Sequence, residues 1–170
     1  MVPVVSIVGK SRSGKTTLME KIIPELKKRG YRVGVIKHAG HGFDVDQKGK
    51  DSWRHGNAGA DTVAVAGAEN LALMKKGPIP GLDSLLPYFE DVDLVITEGY
   101  KHESKPKIEV FRSAAHEKPL CLGQGDLIAW VSDVAPETRV PRFGLEDIQE
   151  IVDFIEQTFL TPGHSRKEKP

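Results

Sequence analysis

Val4, Val5, Ile7 and Val8 form a short β-branched apolar run near the start of the chain, the pattern of a buried strand. Past a glycine-rich stretch, Met19, Ile22, Ile23 and Leu26 recur at helical spacing, and Gly30 follows as a stop. That spacing predicts a helix over roughly Lys15 to Lys28. Pro24 stands inside it and removes a backbone bond, so the last turn is expected to kink. Tyr31 to Lys37 predicts a second strand, and Asp61 to Lys76 two short strands around Gly67-Ala68-Glu69-Asn70. Leu82, Leu85, Leu86 and Phe89 fall at helical spacing and predict a helix over Gly81 to Val92. Asp93 to Glu98, Ile108 to Arg112 and Leu127 to Asp133 are further strand-like runs, with a last short strand in Arg139 to Gly144. Leu145 to Phe159, with Ile148, Ile151, Val152 and Ile155 on one face, predicts an amphipathic helix closing the sheet. From Thr161 the chain has no apolar residue beyond proline and glycine, which predicts one domain over residues 1–160 and a disordered polar tail over 161–170.

The stretch between the first strand and the first helix carries the chemistry. Gly9 to Thr16 reads G-K-S-R-S-G-K-T, a full match to the phosphate-loop pattern G-x-x-x-x-G-K-[ST]. Strand, glycine loop and helix follow one another as that motif requires. Gly9 and Gly14 let the backbone turn so that successive N–H groups converge on an anion, and the dipole of the helix adds positive potential there. Lys15 is placed to reach the β- and γ-phosphates of a purine nucleoside triphosphate, and the Thr16 hydroxyl to ligate Mg²⁺. With this loop the element order predicts an α/β protein of the three-layer P-loop NTPase type. Its sheet is mainly parallel, with helices on both faces and the Asp61–Lys76 strands as an antiparallel addition.

Ligands of parallel sheets sit beyond the carboxyl ends of the strands. Glu98 ends an apolar run, so it is expected beside the phosphate loop, where its carboxylate can hold Mg²⁺ or polarise an attacking water. Asp133 ends another run and is a candidate to bind guanine through N1–H and the 2-amino group. No N-K-x-D motif accompanies it, so capping of the next turn stands beside that reading. Between Lys37 and Asp61, His38, His41, Asp44, Asp46, Asp51, Arg54 and His55 lie among several glycines. This composition suggests a segment that orders on nucleotide and Mg²⁺, with Asp51 or Ser52 capping a short helix through about Ala58. The three histidines match no defensible zinc spacing. Lys105-Pro106-Lys107 reads as a solvated basic face.

Composition changes the picture only by exclusion. Lys+Arg and Asp+Glu are each 24, a balance that lends no support to nucleic-acid or membrane binding. The single cysteine, Cys121, rules out a disulfide framework or a cysteine-based zinc site within one chain. No signal peptide is visible, and no apolar stretch approaches the roughly 20 residues of a membrane span. A soluble cytoplasmic protein is expected.

The motifs together resemble the MobB-type adaptor proteins of molybdopterin-guanine dinucleotide biosynthesis. The shared parts are GKSRSGKTTL, VIKHAGHGFDVD, GKDSWRHGNAGAD, LVITEGYK and PKIEVFR, spread over most of residues 4–133. The phosphate loop is common to very many proteins; GKDSxR…AGA combined with TEGYK…PKIEVFR is far more specific. The resemblance implies a GTP-binding fold that works as a homodimer with weak GTP hydrolysis. It also implies as partners the transferase that joins GMP to molybdopterin, and the molybdenum cofactor itself. By motif position Gly9, Lys10, Ser11, Arg12, Ser13, Gly14, Lys15, Thr16 and Thr17 carry over as phosphate binders, and Thr16 and Glu98 as the Mg²⁺ neighbourhood. Glu98 and Asp46 are the candidate catalytic carboxylates, Asp46 together with Asp44, Asp51 and Arg54 forming the nucleotide-responsive segment. Lys10 sits where related phosphate-loop enzymes place a second lysine that reaches across a dimer, although Ser11 and Arg12 depart from the glycines of that variant.

Two other classes use the same loop. A small-molecule kinase needs an acceptor base and an arginine-bearing lid; Arg54 and Arg112 are candidate lid groups, but no acceptor pocket is evident. A GTPase metallochaperone would use the histidines of the segment after Lys37.

Overall fold

The computed structural model describes residues 2–40, 42–78, 81–121, 123–135 and 139–160. His41 and the tail expected from Thr161 onward lie outside the described residues. In chain order the elements are β1 (Val4–Val8), α1 (Lys15–Lys28), β2 (Val33–Lys37), α2 (Asp51–Asn57), β3 (Thr62–Ala66) and β4 (Leu71–Lys75). Two 3-10 turns, Leu82–Ser84 and Leu86–Phe89, precede β5 (Leu94–Glu98), β6 (Lys107–Phe111), β7 (Leu127–Ser132), β8 (Arg142–Phe143) and α3 (Ile148–Phe159). The described residues group into two compact units, one made of the chain up to His38 and from Leu85 onward, the other of Ala39–Ser84.

The first unit is built on a six-stranded sheet in the order β2-β5-β1-β6-β7-β8, every neighbouring pair parallel. Alternation along the strands decides what each face meets. Val5 and Ile7 of β1, Leu94 and Ile96 of β5, Ile108 and Val110 of β6, and Ala129 and Val131 of β7 pack with Leu18, Met19, Ile22 and Leu26 of α1 and Ile151, Val152 and Ile155 of α3. Arg29, just past α1, clamps the two helices by donating to Asp153 at 2.6 Å and Glu156 at 2.7 Å. On the other face Val8 packs with Cys121 and Leu127, and the Phe89 ring of the second 3-10 turn lies over Gly34 of β2. Burial pushes the Cys121 thiol up to about 11, so it packs as a small apolar side chain.

Several sequence expectations change in detail. α1 keeps its expected span, Lys15–Lys28, with Pro24 inside it. Pro24 and Glu20, the carbonyl four residues before it, both face solvent, so water can serve the group that lost its N–H partner. The helix expected over Gly81 to Val92 is two 3-10 turns, because Pro87 would lie mid-helix and instead opens the second turn. Lys107 is no solvated patch residue: at 1 % exposure it is the first residue of β6, donating to the Glu103 carbonyl at 2.7 Å and to the Asp126 carboxylate. Glu109, two positions on and also 1 % exposed, accepts the Leu120 and Cys121 N–H groups at 2.5 and 2.7 Å. These two buried charges tie down the loop between β6 and β7 by hydrogen bonds on both ends.

In the second unit β3 and β4 form an antiparallel hairpin of their own, pairing Val63 with Met74 and Val65 with Ala72. Val65, Leu71 and Leu73 are exposed on it. α2 lies against the hairpin through Gly56, whose carbonyl accepts from Lys76 and whose Cα faces Val63. Lys50, not Asp51 or Ser52, is the N-cap of α2 and offers no side-chain bond; Asp51 lies in the first turn, where the helix dipole favours an acid. No helix among the described residues is long and apolar enough to cross a membrane.

Candidate functional site

β1 stops at Val8 because Gly9 takes a conformation closed to most residues, φ +145°, and turns the chain sharply out of the sheet. Arg12 (φ +64°) and Gly14 (φ +99°) follow in the left-handed region, so backbone of alternating handedness curls into a nest in front of α1. Ser13 N–H donates to the Lys10 carbonyl at 3.3 Å, and the Lys15 ammonium closes the same carbonyl at 2.8 Å. Ser13 is fully buried, and its Oγ has no hydrogen-bond partner among the described residues. Gly14 begins α1, its carbonyl accepting from Leu18 N–H at 2.9 Å.

Register delivers the opposite wall. Glu98 at the end of β5 is level with Ile7 of β1 and Lys37 of β2. One strand over from the phosphate loop, its carboxylate accepts from the Thr16 hydroxyl at 2.9 Å and faces the Lys37 ammonium at 3.7 Å. Ser6 and Thr97, one step back on the same two strands, share a buried hydrogen bond of 2.9 Å that locks the pair of strands together. Thr16 and Glu98, the two residues expected to serve Mg²⁺, are thus in direct contact.

These parts enclose a cleft of about 440 Å³ lined by Ser11, Arg12, Gly14, Lys15, Thr16 and Thr17 of the loop and helix, together with Glu98 and Arg112. Its charge is mostly positive. Burial holds the Lys15 pKa below the ordinary lysine value, Glu98 opposing that shift and Lys37 adding to it. A cleft at the start of a helix, with cationic side chains and a hydroxyl–carboxylate pair, can take up a polyphosphate. The oxygens of Thr16 and Glu98 are hard donors that suit Mg²⁺ shared with phosphate, since that ion is bound by one or two protein oxygens rather than by a full protein cage.

The remaining predicted residues fall elsewhere. Gly9, Lys10 and Ser13 shape the loop without lining the cleft. Asp133, immediately past β7, is not brought into the cleft: one carboxylate oxygen accepts Ser113 N–H at 2.9 Å and the other the Ser113 hydroxyl at 3.1 Å. Those bonds hold its pKa below the usual aspartate value. Instead of capping the turn that follows it, Asp133 holds the turn after β6. Asp46 belongs to the second unit, where it accepts from Gln47 N–H at 2.8 Å and from the Ser52 hydroxyl at 2.9 Å, ahead of α2. Arg54 faces Asp51 at 3.4 Å within α2. The His38 ring meets Tyr100 edge-on at 5.0 Å. Among the described residues no group of three or more His, Cys, Asp or Glu side chains is placed to hold a metal ion.

Lys37 and His116 were not assigned to the phosphate site by sequence, and Arg112 only as a lid group of the kinase alternative. Lys37 ends β2 as Glu98 ends β5, and Arg112 stands one residue past the end of β6, so the strand-end rule applied to basic residues would have found both. His116, whose Nε2–H donates to the Ser11 carbonyl at 2.6 Å, gave no such signal.

The profile of a family described as molybdopterin guanine dinucleotide synthesis protein B, MobB, matches residues 4–133. The chain is 42% identical over 158 residues to the molybdopterin-guanine dinucleotide biosynthesis adapter protein of Haemophilus influenzae, covering 91% of this chain and 88% of that one. It is 37% identical over 163 residues to the adapter protein of the same description from Escherichia coli K12, covering 91% and 92% respectively. Among solved structures it is similar to Bacillus subtilis MobB, with a TM-score of 0.76 and 30% identity over 94% of this chain and 99% of that one.

Proposed function

The chain belongs to the MobB family of molybdopterin guanine dinucleotide synthesis proteins, and from that premise we propose that its phosphate loop binds GTP with Mg²⁺ in support of a guanylyl-transferring partner. Its role is that of an adapter in molybdopterin-guanine dinucleotide biosynthesis. The observation that carries the nucleotide reading is the cleft itself, where the phosphate loop, Lys15 and the Thr16–Glu98 pair meet at the start of α1, and the choice of GTP follows the family resemblance. Lys15 would release the Lys10 carbonyl and turn to the phosphates, and the loop N–H groups would receive their oxygens. Mg²⁺ would supply charge neutralisation on the phosphates, with Thr16 and Glu98 as the residues that hold it. Glu98, with its carboxylate at the phosphate end of the cleft, is the group through which slow hydrolysis would run. Asp46 is retained as the second candidate carboxylate for hydrolysis. The adapter works in the cytoplasm on this reading, where GTP and Mg²⁺ are available.

Calorimetric titration with GTP and with ATP, each with and without Mg²⁺ and with and without the transferase and molybdopterin, tests the reading. GTP is expected to bind more tightly than ATP, and Mg²⁺ to strengthen it. Equal affinities would remove the guanine preference, and no binding of either would remove the nucleotide site. Thr16→Ala is expected to weaken GTP binding about tenfold when Mg²⁺ is present and much less when it is chelated. A defect of the same size in both conditions would show that Thr16 acts on the phosphates or on Glu98 alone.

The second unit supports a homodimer. Its hairpin is a separate two-stranded sheet and leaves Leu71 69 % and Leu73 45 % exposed. Apolar strand edges of this kind recruit further strands, and pairing with a second copy across a two-fold axis removes both edges together. Sedimentation at micromolar concentration is expected to report close to twice the 18.7 kDa of one chain. Leu73→Lys is expected to shift the population toward one chain. A wild-type protein that sediments as a monomer with and without GTP would defeat this, and with it any role for Lys10 in a partner's site.

A further inference from the structure

We propose that Arg112 is a phosphate-binding residue of the nucleotide site, and that Asp133 serves the site by holding the turn that aims it. The inference rests on the nucleotide reading above and assigns two residues that neither the loop motif nor the family description places there.

Arg112 follows the last residue of β6, the strand paired with β1 on the side away from Glu98. It lines the cleft, and its guanidinium lies against the backbone of Gly14: a Cβ at that position would stand 3.3 Å from Nε and 3.8 Å from one terminal nitrogen. The absence of a side chain at Gly14 therefore leaves room for the guanidinium as well as allowing the left-handed turn. Arg112 Nε is buried and has no hydrogen-bond partner among the described residues. Arginine N–H groups taken out of water are ordinarily paired, most often with a carboxylate or a phosphate. The carboxylate at the cleft, Glu98, is engaged by Thr16 and Lys37. A guanidinium beside Lys15 at the positive end of α1 is repelled by both, and a polyanion seated between them turns that repulsion into attraction.

The turn carrying Arg112 is fixed at several points. The Arg112 carbonyl accepts from Ala115 and His116 N–H, both at 3.1 Å. Ser113 is grasped through its N–H and its hydroxyl by the two oxygens of Asp133, and His116 reaches back to the Ser11 carbonyl of the phosphate loop. One side of this clamp is the end of β7 and the other is the loop itself. Register explains why the acid falls there, since Phe111 is level with Ser132 and the next residues of each strand are neighbours. An acid ending β7 without an N-K-x-D motif then has a use: it positions a phosphate ligand from the adjacent strand.

The test is competitive binding of GTP, ATP and inorganic pyrophosphate to wild type, Arg112→Gln, Arg112→Lys, Asp133→Ala and the Arg112→Gln/Asp133→Ala double variant. Folding of each is checked by circular dichroism and thermal melting. Arg112→Gln is expected to weaken all three ligands by about tenfold or more, as loss of a charge-assisted phosphate contact should, and Arg112→Lys to restore part of it. Asp133→Ala is expected to weaken GTP and ATP by equal, smaller factors and to add little in the Arg112→Gln background. A folded Arg112→Gln protein with wild-type affinities, beside a Lys15→Ala protein that has lost them, would overturn the assignment of Arg112 and leave the nucleotide site standing. Loss of GTP alone in Asp133→Ala, or an effect fully additive with Arg112→Gln, would overturn the positioning role and return Asp133 to the base. A wild type that binds none of the three ligands overturns the nucleotide reading and this inference together.

Discussion

Replacing Lys15 by alanine is expected to lower GTP affinity by roughly tenfold to a hundredfold while leaving the protein folded, because charge-assisted contacts to phosphate contribute about 1.5–3 kcal/mol each. The fold tolerates the change for reasons visible around the side chain. Lys15 sits at the first position of α1, half-buried and outside the buried core, and its ammonium is bound to a loop carbonyl, that of Lys10, at 2.8 Å. Burial lowers its pKa, so the folded protein penalises the charged form relative to the unfolded chain, and alanine relieves that penalty along with the repulsion from Lys37. Alanine is also the best helix former at an interior or first-turn position. The melting temperature is expected to move by no more than roughly 2–4 °C, the equivalent of about 1 kcal/mol in a domain of this size. Calorimetry with GTP, beside a thermal melt of the same preparation, separates the two effects. Unchanged affinity in a folded Lys15→Ala protein would falsify the phosphate-site reading, because that reading gives Lys15 a charge-assisted contact to the phosphates.

The phosphate loop and the strand ends were legible in the chain because both are local signals read against one rule. The motif from Gly9 to Thr16 specifies its own geometry, and a parallel sheet gathers the carboxyl ends of its strands, which put Glu98 beside Thr16 at 2.9 Å. Pairings set by register between strands distant in sequence were not legible. Lys107 reads as surface until Asp126 is known to face it, and Asp133 reads as a guanine ligand or a cap of the next turn until β6 and β7 are aligned and Ser113 arrives. The segment Gly81 to Val92 failed for a different reason. Leu82 and Leu85 are three residues apart, as are Leu86 and Phe89, so apolar spacing alone does not separate an α-helix from two consecutive 3-10 turns. Pro87 does separate them, and it was the residue to weigh. Pro24 shows the converse, an interior proline that the helix accommodates because its lost bond faces water.

Gly9→Ala is expected to be the most damaging single-methyl change in the chain, lowering stability by roughly 2–5 kcal/mol. Two separate penalties meet there. At φ +145° the backbone lies where an L side chain is strained whatever the space around it. The space is also taken: a Cβ would stand 2.4 Å from the Val110 carbonyl oxygen and 2.7 Å from Ser13 Oγ. Ser13 Oγ is a hydroxyl that a rotamer change can move, but Val110 is backbone of β6, held between β1 and β7 and level with Val131. It cannot recede without loosening the strand that leads to Arg112. Against a total stability of about 5–15 kcal/mol for a domain, such a loss is a large fraction, and the melting temperature should fall by roughly 5–15 °C. Gly30→Ala supplies the control. Gly30 also has a left-handed backbone, φ +90°, but nothing lies within 4 Å of its hypothetical Cβ. Strain alone should cost about 1–2 kcal/mol there. The excess of Gly9→Ala over Gly30→Ala, read by thermal or denaturant melting, therefore measures the close approach of the phosphate loop to β6 together with the difference in backbone strain between φ +145° and φ +90°. Equal losses at the two glycines would mean that β6 yields to the methyl group. In that case Gly9 serves the loop only by its backbone angle, and Gly9→Ala should retain the GTP affinity that a loop pressed against Val110 would lose.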